Sequence, residues 1–596
     1  MRFLFFLKEI TKSMLNLTVS NRKQEIQMTE DNTPVGRPNI YVKSLTFNDE
    51  TCMNIDKNDI VVFVGPNNVG KSQTLKDIYA LAEGTVATTL VKQVVFSTDP
   101  IFPVSRWLSS HFICKVGNDG SRIYSGLDFS FYELVGKNSI KQSKPSFLTK
   151  PLFCKLETEN RLRISNPPDQ IDFGETPQHP IHILQQRSDA RKKIARYFEN
   201  AFGISLNPFD RFGKHIPLVL GPKPVLKESF DDEIERGEKV DEILRTYPHL
   251  ENQGDGMRSF AGLMLYLIID HYNVFLIDEP ESFLHPPQAR LMGEIVGDLL
   301  ADKQQAFVST HSIHFIQGLL AKIPNRVKVV RITRAENTNT FSILDNDRLL
   351  ELSKDPFLKH SDLLEGLFYK NVVLCEADSD CMFYSMINGA SDMKGPKGFD
   401  TQFVHCGGKQ RMSSVVQSLM DLKIPFHVIP DFDIFNNEET LTKLVKACGG
   451  DWSLFEREFK VLSNSIRQRM KNDVSGKTLS DKILAILSSE PSAPVSGNKK
   501  DAIRKLLDET KSEWDRLKDS GVNGISSGDA QIACCNLLQK LNGIGIHVVP
   551  CGELERFVPD CGGHGPEWIQ NVVARHPDTL DSVFEQAKTF VRSWNL

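Results

Sequence analysis

The stretch NDIVVFVGPNNVGKSQTLKDIYA, residues 58–80, decides the fold. Its β-branched and aromatic run Ile60–Val64 predicts a buried strand, and a helical pattern begins near Lys71. Between them, Gly65-Pro66-Asn67-Asn68-Val69-Gly70-Lys71-Ser72 fits G-x-x-x-x-G-K-[ST] in the strand–loop–helix setting that this phosphate-binding loop requires. Glycines let backbone N–H groups turn toward phosphates, and the helix N-terminus adds positive potential. Gly65, Asn67, Asn68, Val69 and Gly70 are therefore expected to cradle ATP. Lys71 should reach its β/γ-phosphates, and the Ser72 hydroxyl should hold Mg²⁺.

The second half of that site lies some 200 residues on. Tyr272-Asn-Val-Phe-Leu-Ile-Asp278-Glu279-Pro280-Glu281 is an apolar strand with an acidic end. Asp278 suits a Mg²⁺-linked position, and Glu279 suits the base that polarises an attacking water. A further apolar run ends in Ser309-Thr310-His311-Ser312, which places His311 where a γ-phosphate sensor is expected.

Composition sets the limits. At 596 residues the chain is too long for one core, so two or more domains are expected. Hydrophobic and charged fractions of 40% and 25% are those of a soluble globular protein. With a net charge of −5, contact with nucleic acid must come from local basic patches rather than the overall field. The eleven cysteines are scattered and include no C-x-x-C pair, so neither a zinc ribbon nor a disulfide framework is indicated, and a reducing cytoplasm fits. The apolar run Phe3–Leu7 is too short for a signal peptide, and no run approaches the roughly 18 apolar residues of a membrane span, so no membrane partner is expected. Residues 1–36 read as a flexible extension, with Met28 an alternative start.

GPNNVGKS, FLIDEPESFLHP and STHS together resemble the ABC-type ATPase heads of the SMC/Rad50/RecF kind. The segment Gln253-Gly254-Asp255-Gly256-Met257-Arg258-Ser259 opens a helix where that family keeps its signature motif, although the wording departs from L-S-G-G-Q. The resemblance implies that Gly254 and Gly256 contact nucleotide, and that heads pair into a homodimer or larger homo-oligomer. Residues 37–345 are expected to form this ATPase domain, with an insertion at about 185–250 for dimerisation or docking. No long heptad run appears, which argues against a coiled-coil arm.

Beyond a linker near 340–365, NVVLCEADSD (371–380) is a strand ending in acids. Glu376 at the strand end and Asp380 four residues on reach the same sheet edge, and a helix is expected over Cys381–Asn388. Asp378 is expected to cap that helix or stand in solvent. Gln402–Lys409 reads as a strand with a glycine turn, and Phe426–Asp433 as a strand ending in Asp431 and Asp433, which an extended backbone would point the same way. All these acids fall at carboxyl ends of strands, where open α/β sheets place their sites. The order resembles the TOPRIM fold, with Ala377 where that family usually has glycine. Hard oxygen donors of this kind suit Mg²⁺ or Mn²⁺. After a helical insertion (about 436–543), Ile544–Arg556 offers a third acidic strand end, with Glu553 or Glu555 as a further metal ligand.

An ATPase head followed by a TOPRIM domain (366–596) resembles the OLD (overcoming lysogenisation defect) nucleases. The resemblance implies an ATP-regulated, metal-dependent DNA endonuclease or nickase, an effector of bacterial anti-phage defence. Its catalytic groups would be Glu376, Asp380, Asp431, Asp433, Glu279 and Lys409, with Lys409 or Arg556 neutralising the scissile phosphate. It also implies DNA as partner and leaves room for a second defence component, a helicase-like protein or a retron reverse transcriptase with its DNA. Two other readings stay open: a DNA-end sensor or repair ATPase with a non-cutting TOPRIM domain, and the same nuclease acting on RNA.

Overall fold

The computed structural model describes residues 40–594, apart from 87, 100–107, 109–111, 127–128, 173–176, 210–212, 223, 225–232, 270–271, 301–303, 345–361, 391–399, 470–475, 489–495 and 509–512. The expected N-terminal extension, the alternative start at Met28 and most of the linker fall outside the described residues.

Strand Ile60–Val64 lies inside a six-stranded sheet. The strand order is Thr338–Ile343, Val327–Ala335, Ile60–Val64, Gln305–Ser309, Val274–Asp278 and Phe153–Leu156, all parallel except the Thr338–Ile343 edge. Every residue of Ile60–Val64 is buried. The reason is that the sheet is covered on both faces, so both sets of alternating side chains enter cores. Ile60, Val62 and Val64 join a core shared with the helices Ser188–Phe202, Asp255–Ile268, Pro286–Leu299 and Ile313–Lys322. Val61 and Phe63 join a second core beneath the antiparallel sheet Cys52–Asn54, Ile40–Phe47, Val91–Thr98.

The segment expected as a separate insertion starts as part of this body. Phe198 and Phe202 of helix Ser188–Phe202 pack edge-on against Phe260 of the helix opened by the signature-like segment. The hairpin Leu206–Pro208/Leu218–Leu220 also sends Leu206, Leu218 and Leu220 into the core that holds Phe198 and Phe260, while Phe209, Val219 and Leu244 form a small separate cluster.

The C-terminal half is built on three parallel strands ordered Thr401–His405, Asn371–Cys375, Phe426–Ile429. Val372 and Leu374 face the core that continues from the ATPase body, whereas Val373 and Cys375 face a C-terminal core containing Phe383, Trp568 and Trp594. The expected strand at 544–550 is reduced to a single parallel bridge, Val428–Ile546. Gly545 holds φ at 80°, and Pro550 has no N–H to extend a ladder. The helical insertion is present as Glu438–Ala447, Glu456–Arg469, Gly476–Ser488, Gly497–Asp508, Glu513–Ser520 and Asp529–Asn542.

Arg331 ties the halves together. It is buried in strand Val327–Ala335 and donates to Tyr369 O at 2.8 Å and Lys423 O at 3.0 Å. Among the described residues, no helix is long and apolar enough to cross a membrane.

Candidate functional site

The phosphate loop needs its glycines. Gly65 sits at φ 141°, and a Cβ there would meet Ile332 O at 2.1 Å. Gly70 adopts a left-handed φ of 97° directly before helix Lys71–Glu83. With the loop closed on itself, Lys71 Nζ donates to Gly65 O and Pro66 O, both at 2.8 Å. Burial lowers the Lys71 pKa to about 8, against the opposing pull of Glu279, Glu281 and Asp278. Ser72 Oγ donates to Asp278 Oδ1 at 2.7 Å, and the Ser309 hydroxyl donates to the same oxygen. The residues expected to hold Mg²⁺ and nucleotide therefore meet across 206 residues of sequence.

Glu279 holds a left-handed φ of 47°, a strained value that residues at working sites often carry. His311 Nε2 lies 3.5 Å from Glu279 Oε1, and the His311 backbone N–H donates to Glu281 Oε1 at 2.7 Å. Burial, then the Lys71 charge, lower the His311 pKa, and burial raises that of Glu281.

Two residues the sequence reading missed complete this half. One is Ser309. The other is Arg161, which is 0% exposed. Arg161 donates to Asp278 O at 2.6 Å, Glu279 O at 2.8 Å, Leu156 O at 3.1 Å, Thr158 Oγ1 at 3.2 Å and Ser259 Oγ at 3.1 Å. It thus ties the acidic strand end to the helix that the signature-like segment opens. Gly254 caps that helix in open space, and a Cβ on Gly256 would meet Phe283 O at 2.7 Å.

In the C-terminal half, Glu376 Oε1 accepts from Asp431 N at 3.3 Å, which brings the first two acidic strand ends together. Three expectations change. The helix begins at Asp378 rather than Cys381. Asp380, not Asp378, caps it, with Oδ2 accepting from Ala377 N at 2.9 Å, while Asp378 is exposed. Asp431 and Asp433 do not share an extended backbone, because Phe432–Asn436 is a 3₁₀ turn whose Phe432, Ile434 and Phe435 are all buried. That apolar spacing turns the chain inward and delivers Asp433 to Lys409 at 2.6 Å and Lys518 at 3.0 Å. Lys518 comes from helix Glu513–Ser520 of the insertion, and no local pattern marked it.

The electrostatics of this cluster are unfavourable to charge. Burial, then the Asp433 charge, raise the Glu376 pKa to about 7, with Lys409 opposing. Burial raises Asp380 to about 6, with the Ala377 N–H opposing and Glu555 adding to the rise. Asp431 is pushed well up by burial and by Glu376, Asp380, Asp433 and Glu553 in turn. Burial also opposes charge on Asp433, but Lys409 and then Lys518 outweigh it and hold this carboxyl below its usual value. Both candidates from the third acidic segment thus approach the cluster. Glu553 is paired with Arg556 at 3.2 Å, and Glu555 with His564 Nδ1 at 2.6 Å and Gly565 N at 3.0 Å. Arg556 also pairs with Asp519, so it is as engaged as Lys409.

These residues fit a divalent metal. All the donors are carboxylate oxygens, and Asp433 Oδ1 is buried with no hydrogen-bond partner. No three of the carboxylates present oxygens all within 4.8 Å of one another, as repulsion dictates, so a cation would draw them inward. Asp278 with Ser72 likewise fits a nucleotide-bound ion.

A cavity of about 530 Å³ separates the halves, lined by Asn67, Glu281 and His311 on one side and Glu365, Phe368 and Tyr369 on the other. The His311 and Phe368 rings lie 6.3 Å apart across it.

Comparison with known proteins agrees with this division. Residues 60–317 match the AAA-domain family whose description names the AbiEii toxin of a type IV TA system. Residues 367–433 match the TOPRIM domain of overcoming lysogenization defect protein-like sequences. No curated protein matches. Solved structures similar to the chain include SMC head domains. One is bound to the C-winged helix domain of ScpA, with 10% identity, coverage of 52% of this chain and 99% of that chain, and a TM-score of 0.33. One from Pyrococcus furiosus, with an extended coiled coil and the C-terminal domain of ScpA, gives 9%, 53% and 99%, and 0.29. One from Thermotoga maritima gives 12%, 52% and 100%, and 0.27. Fold and site define the class as a P-loop ATPase head joined to a TOPRIM domain, an enzyme of nuclease type that uses nucleotide and divalent metal. Within that class, the pairing of the matched ATPase domain with an OLD-like TOPRIM domain supports an OLD-family ATPase–TOPRIM protein.

Proposed function

We propose that this protein is an ATP-regulated, divalent-metal-dependent DNA endonuclease or nickase. The observation that carries the reading is the convergence of Glu376, Asp380, Asp431, Asp433 and Glu553 at one edge of the three-stranded sheet, with three of them pushed toward protonation by burial and one another. A fold retains such repulsion when a cation relieves it at work. Glu376, Asp380, Asp431 and Asp433 would hold Mg²⁺ or Mn²⁺, with Glu553 and Glu555 as further ligands. When bound, such ions stabilise the attacking and leaving oxygens of a phosphodiester displacement.

The chain's own groups do the rest. Burial and the Asp433 charge raise the Glu376 pKa to about 7 without metal, so a cation that Glu376 ligates would also displace its proton. Lys409 and Lys518, which neutralise Asp433, are placed to turn to a phosphate once a metal takes over that carboxylate. In the head, Lys71, Ser72, Asp278 and His311 would hold ATP, and Glu279 would orient the water that attacks it. Control by ATP is supported by the cavity that His311 and Phe368 share. The matched descriptions, one naming a lysogeny defect and the other a toxin, favour a role in anti-phage defence. Eleven free cysteines suit action in the cytoplasm.

Purified protein incubated with plasmid DNA or structured RNA, in Mg²⁺ or Mn²⁺ and with or without ATP, tests the reading. Metal-dependent nicking of the plasmid is expected. Failure to cut either substrate leaves the end-sensor reading standing, and cleavage of RNA alone replaces the substrate.

A further inference from the structure

A second cluster of ligand-type side chains stands apart from both acidic sites. Asp560, Cys561 and His576 bring one carboxylate oxygen, one sulfur and one ring nitrogen all within 4.8 Å of one another. Cys561 follows the 3₁₀ turn Leu554–Phe557, and His576 directly follows helix Pro566–Arg575. The cluster therefore joins the loop that presents Glu553 and Glu555 to the C-terminal helices.

Its internal geometry asks for a cation. His576 Nδ1 lies 2.7 Å from Asp581 Oδ2, which as a carboxylate can only accept, so Nδ1 carries the hydrogen. The other nitrogen, Nε2, lies 3.1 Å from Asp560 Oδ2, and that gap is filled either by the second proton of an imidazolium, which the two carboxylates favour, or by a metal. The Cys561 thiol, on a residue 8% exposed and packed in the core with Trp568 and Phe557, adds a soft donor that a proton would not require. Arg575 Nε, 3.2 Å from Asp560 Oδ2, is the cation beside it.

We propose that Asp560, Cys561 and His576 form a zinc site that fastens the C-terminal helices to the Glu553–Glu555 loop. One imidazole, one thiolate and one carboxylate are the mixed donor set that Zn²⁺ accepts, with water in the fourth position. Asp581 on Nδ1 is the outer carboxylate that fixes ring orientation in histidine–zinc sites. Charge balances as well: the Cys561 thiolate, Asp560 and Asp581 offset Zn²⁺ and Arg575. The all-oxygen cluster around Glu376 has no such soft donor and suits a different ion, so this proposal stands whether or not the protein is a nuclease.

The test is metal content and cobalt spectroscopy on the full chain, with excess Mg²⁺ present to fill the all-carboxylate cluster. The wild type should retain about one zinc per chain after dialysis. The Co²⁺-loaded protein should show a thiolate-to-cobalt charge-transfer band that Zn²⁺ abolishes. Cys561→Ser and His576→Ala should lose both signals, Asp581→Asn should weaken zinc binding by about 10- to 100-fold, and Cys551→Ser should change nothing. Circular dichroism and the thermal transition of the TOPRIM half report whether each variant is folded. Wild-type protein that holds no zinc and shows no cobalt band means that a proton alone fills the gap, which overturns the site. Zinc retained in full by Cys561→Ser, or by His576→Ala should the former not fold, overturns it equally.

Discussion

Both acidic sites stand at the carboxyl ends of parallel strands, yet they handle charge in opposite ways. In the ATPase head Asp278 is held by two serine hydroxyls, its peptide oxygen and that of Glu279 are held by Arg161, and Lys71 stands nearby. In the TOPRIM half Glu376, Asp380 and Asp431 face one another and are pushed toward the neutral form. The first site is organised before its ligand arrives. The second is frustrated, and its lysines, Lys409 and Lys518, pair directly with Asp433. The difference teaches where each cofactor's binding energy goes: nucleotide meets a finished cradle, whereas metal must gather its ligands.

The largest expected effects separate the sites. Asp431→Ala should reduce cleavage to background while ATP hydrolysis stays within about twofold of wild type, because Asp431 belongs to the TOPRIM cluster. Glu279→Gln should cost ATP hydrolysis about 10²-fold or more and leave metal binding by the TOPRIM half intact. If either substitution silences both activities, the two sites are one machine and the contrast fails.

Next comes the strut of the finished site. Arg161→Ala would leave the carbonyls of Asp278 and Glu279 buried without donors and open a void beneath the signature-like helix. A loss on the order of 3 kcal/mol is expected, seen as a lower Tm of the ATPase transition, with Arg161→Lys recovering part of it.

The frustrated site should respond to pH. Glu376 and Asp380, with pKa values of about 7 and 6, bind protons in the folded chain that the unfolded chain has already released. Stability is therefore lost as pH rises from about 4.5 through 7, the reverse of an ordinary salt-bridged carboxylate. Metal-free protein should melt several degrees lower at pH 8 than at pH 5.5, and Mg²⁺ should restore more at the higher pH. A Mg²⁺ effect independent of pH would argue against the cluster as its site.

The smallest effect sharpens the link between halves. Phe368→Ala removes the ring facing His311 and should shrink the change that ATP makes to cleavage, with the rate in the absence of ATP within about twofold. An undiminished response to ATP would route the coupling elsewhere, for instance through Arg331.

Local pattern carried much of this architecture. The phosphate loop is contiguous, and the apolar run Ile60–Val64 could only be a strand buried on both faces. Glu376, Asp431 and Asp433 were readable because each follows such a strand. What local pattern could not carry was placement across the fold. Arg161 looks no different from Arg163 in its own helix and acquires its role from a strand more than 110 residues later. Lys518 reaches Asp433 from an insertion whose sequence reads as an ordinary charged helix. The D-x-D spacing suggested an extended strand end, but the burial of Phe432, Ile434 and Phe435 won and folded it into a turn. Asp380 rather than Asp378 caps the helix because it starts three residues early, and Asp378 stands in solvent.

The central claim is that the TOPRIM carboxylates form a metal site independent of nucleotide. Titrating nucleotide-free protein with Mn²⁺, followed by electron paramagnetic resonance, tests it most directly. Wild type and Lys71→Ala should bind alike, and Asp431→Asn should lose most of that binding. Unchanged Mn²⁺ binding by Asp431→Asn would contradict the account.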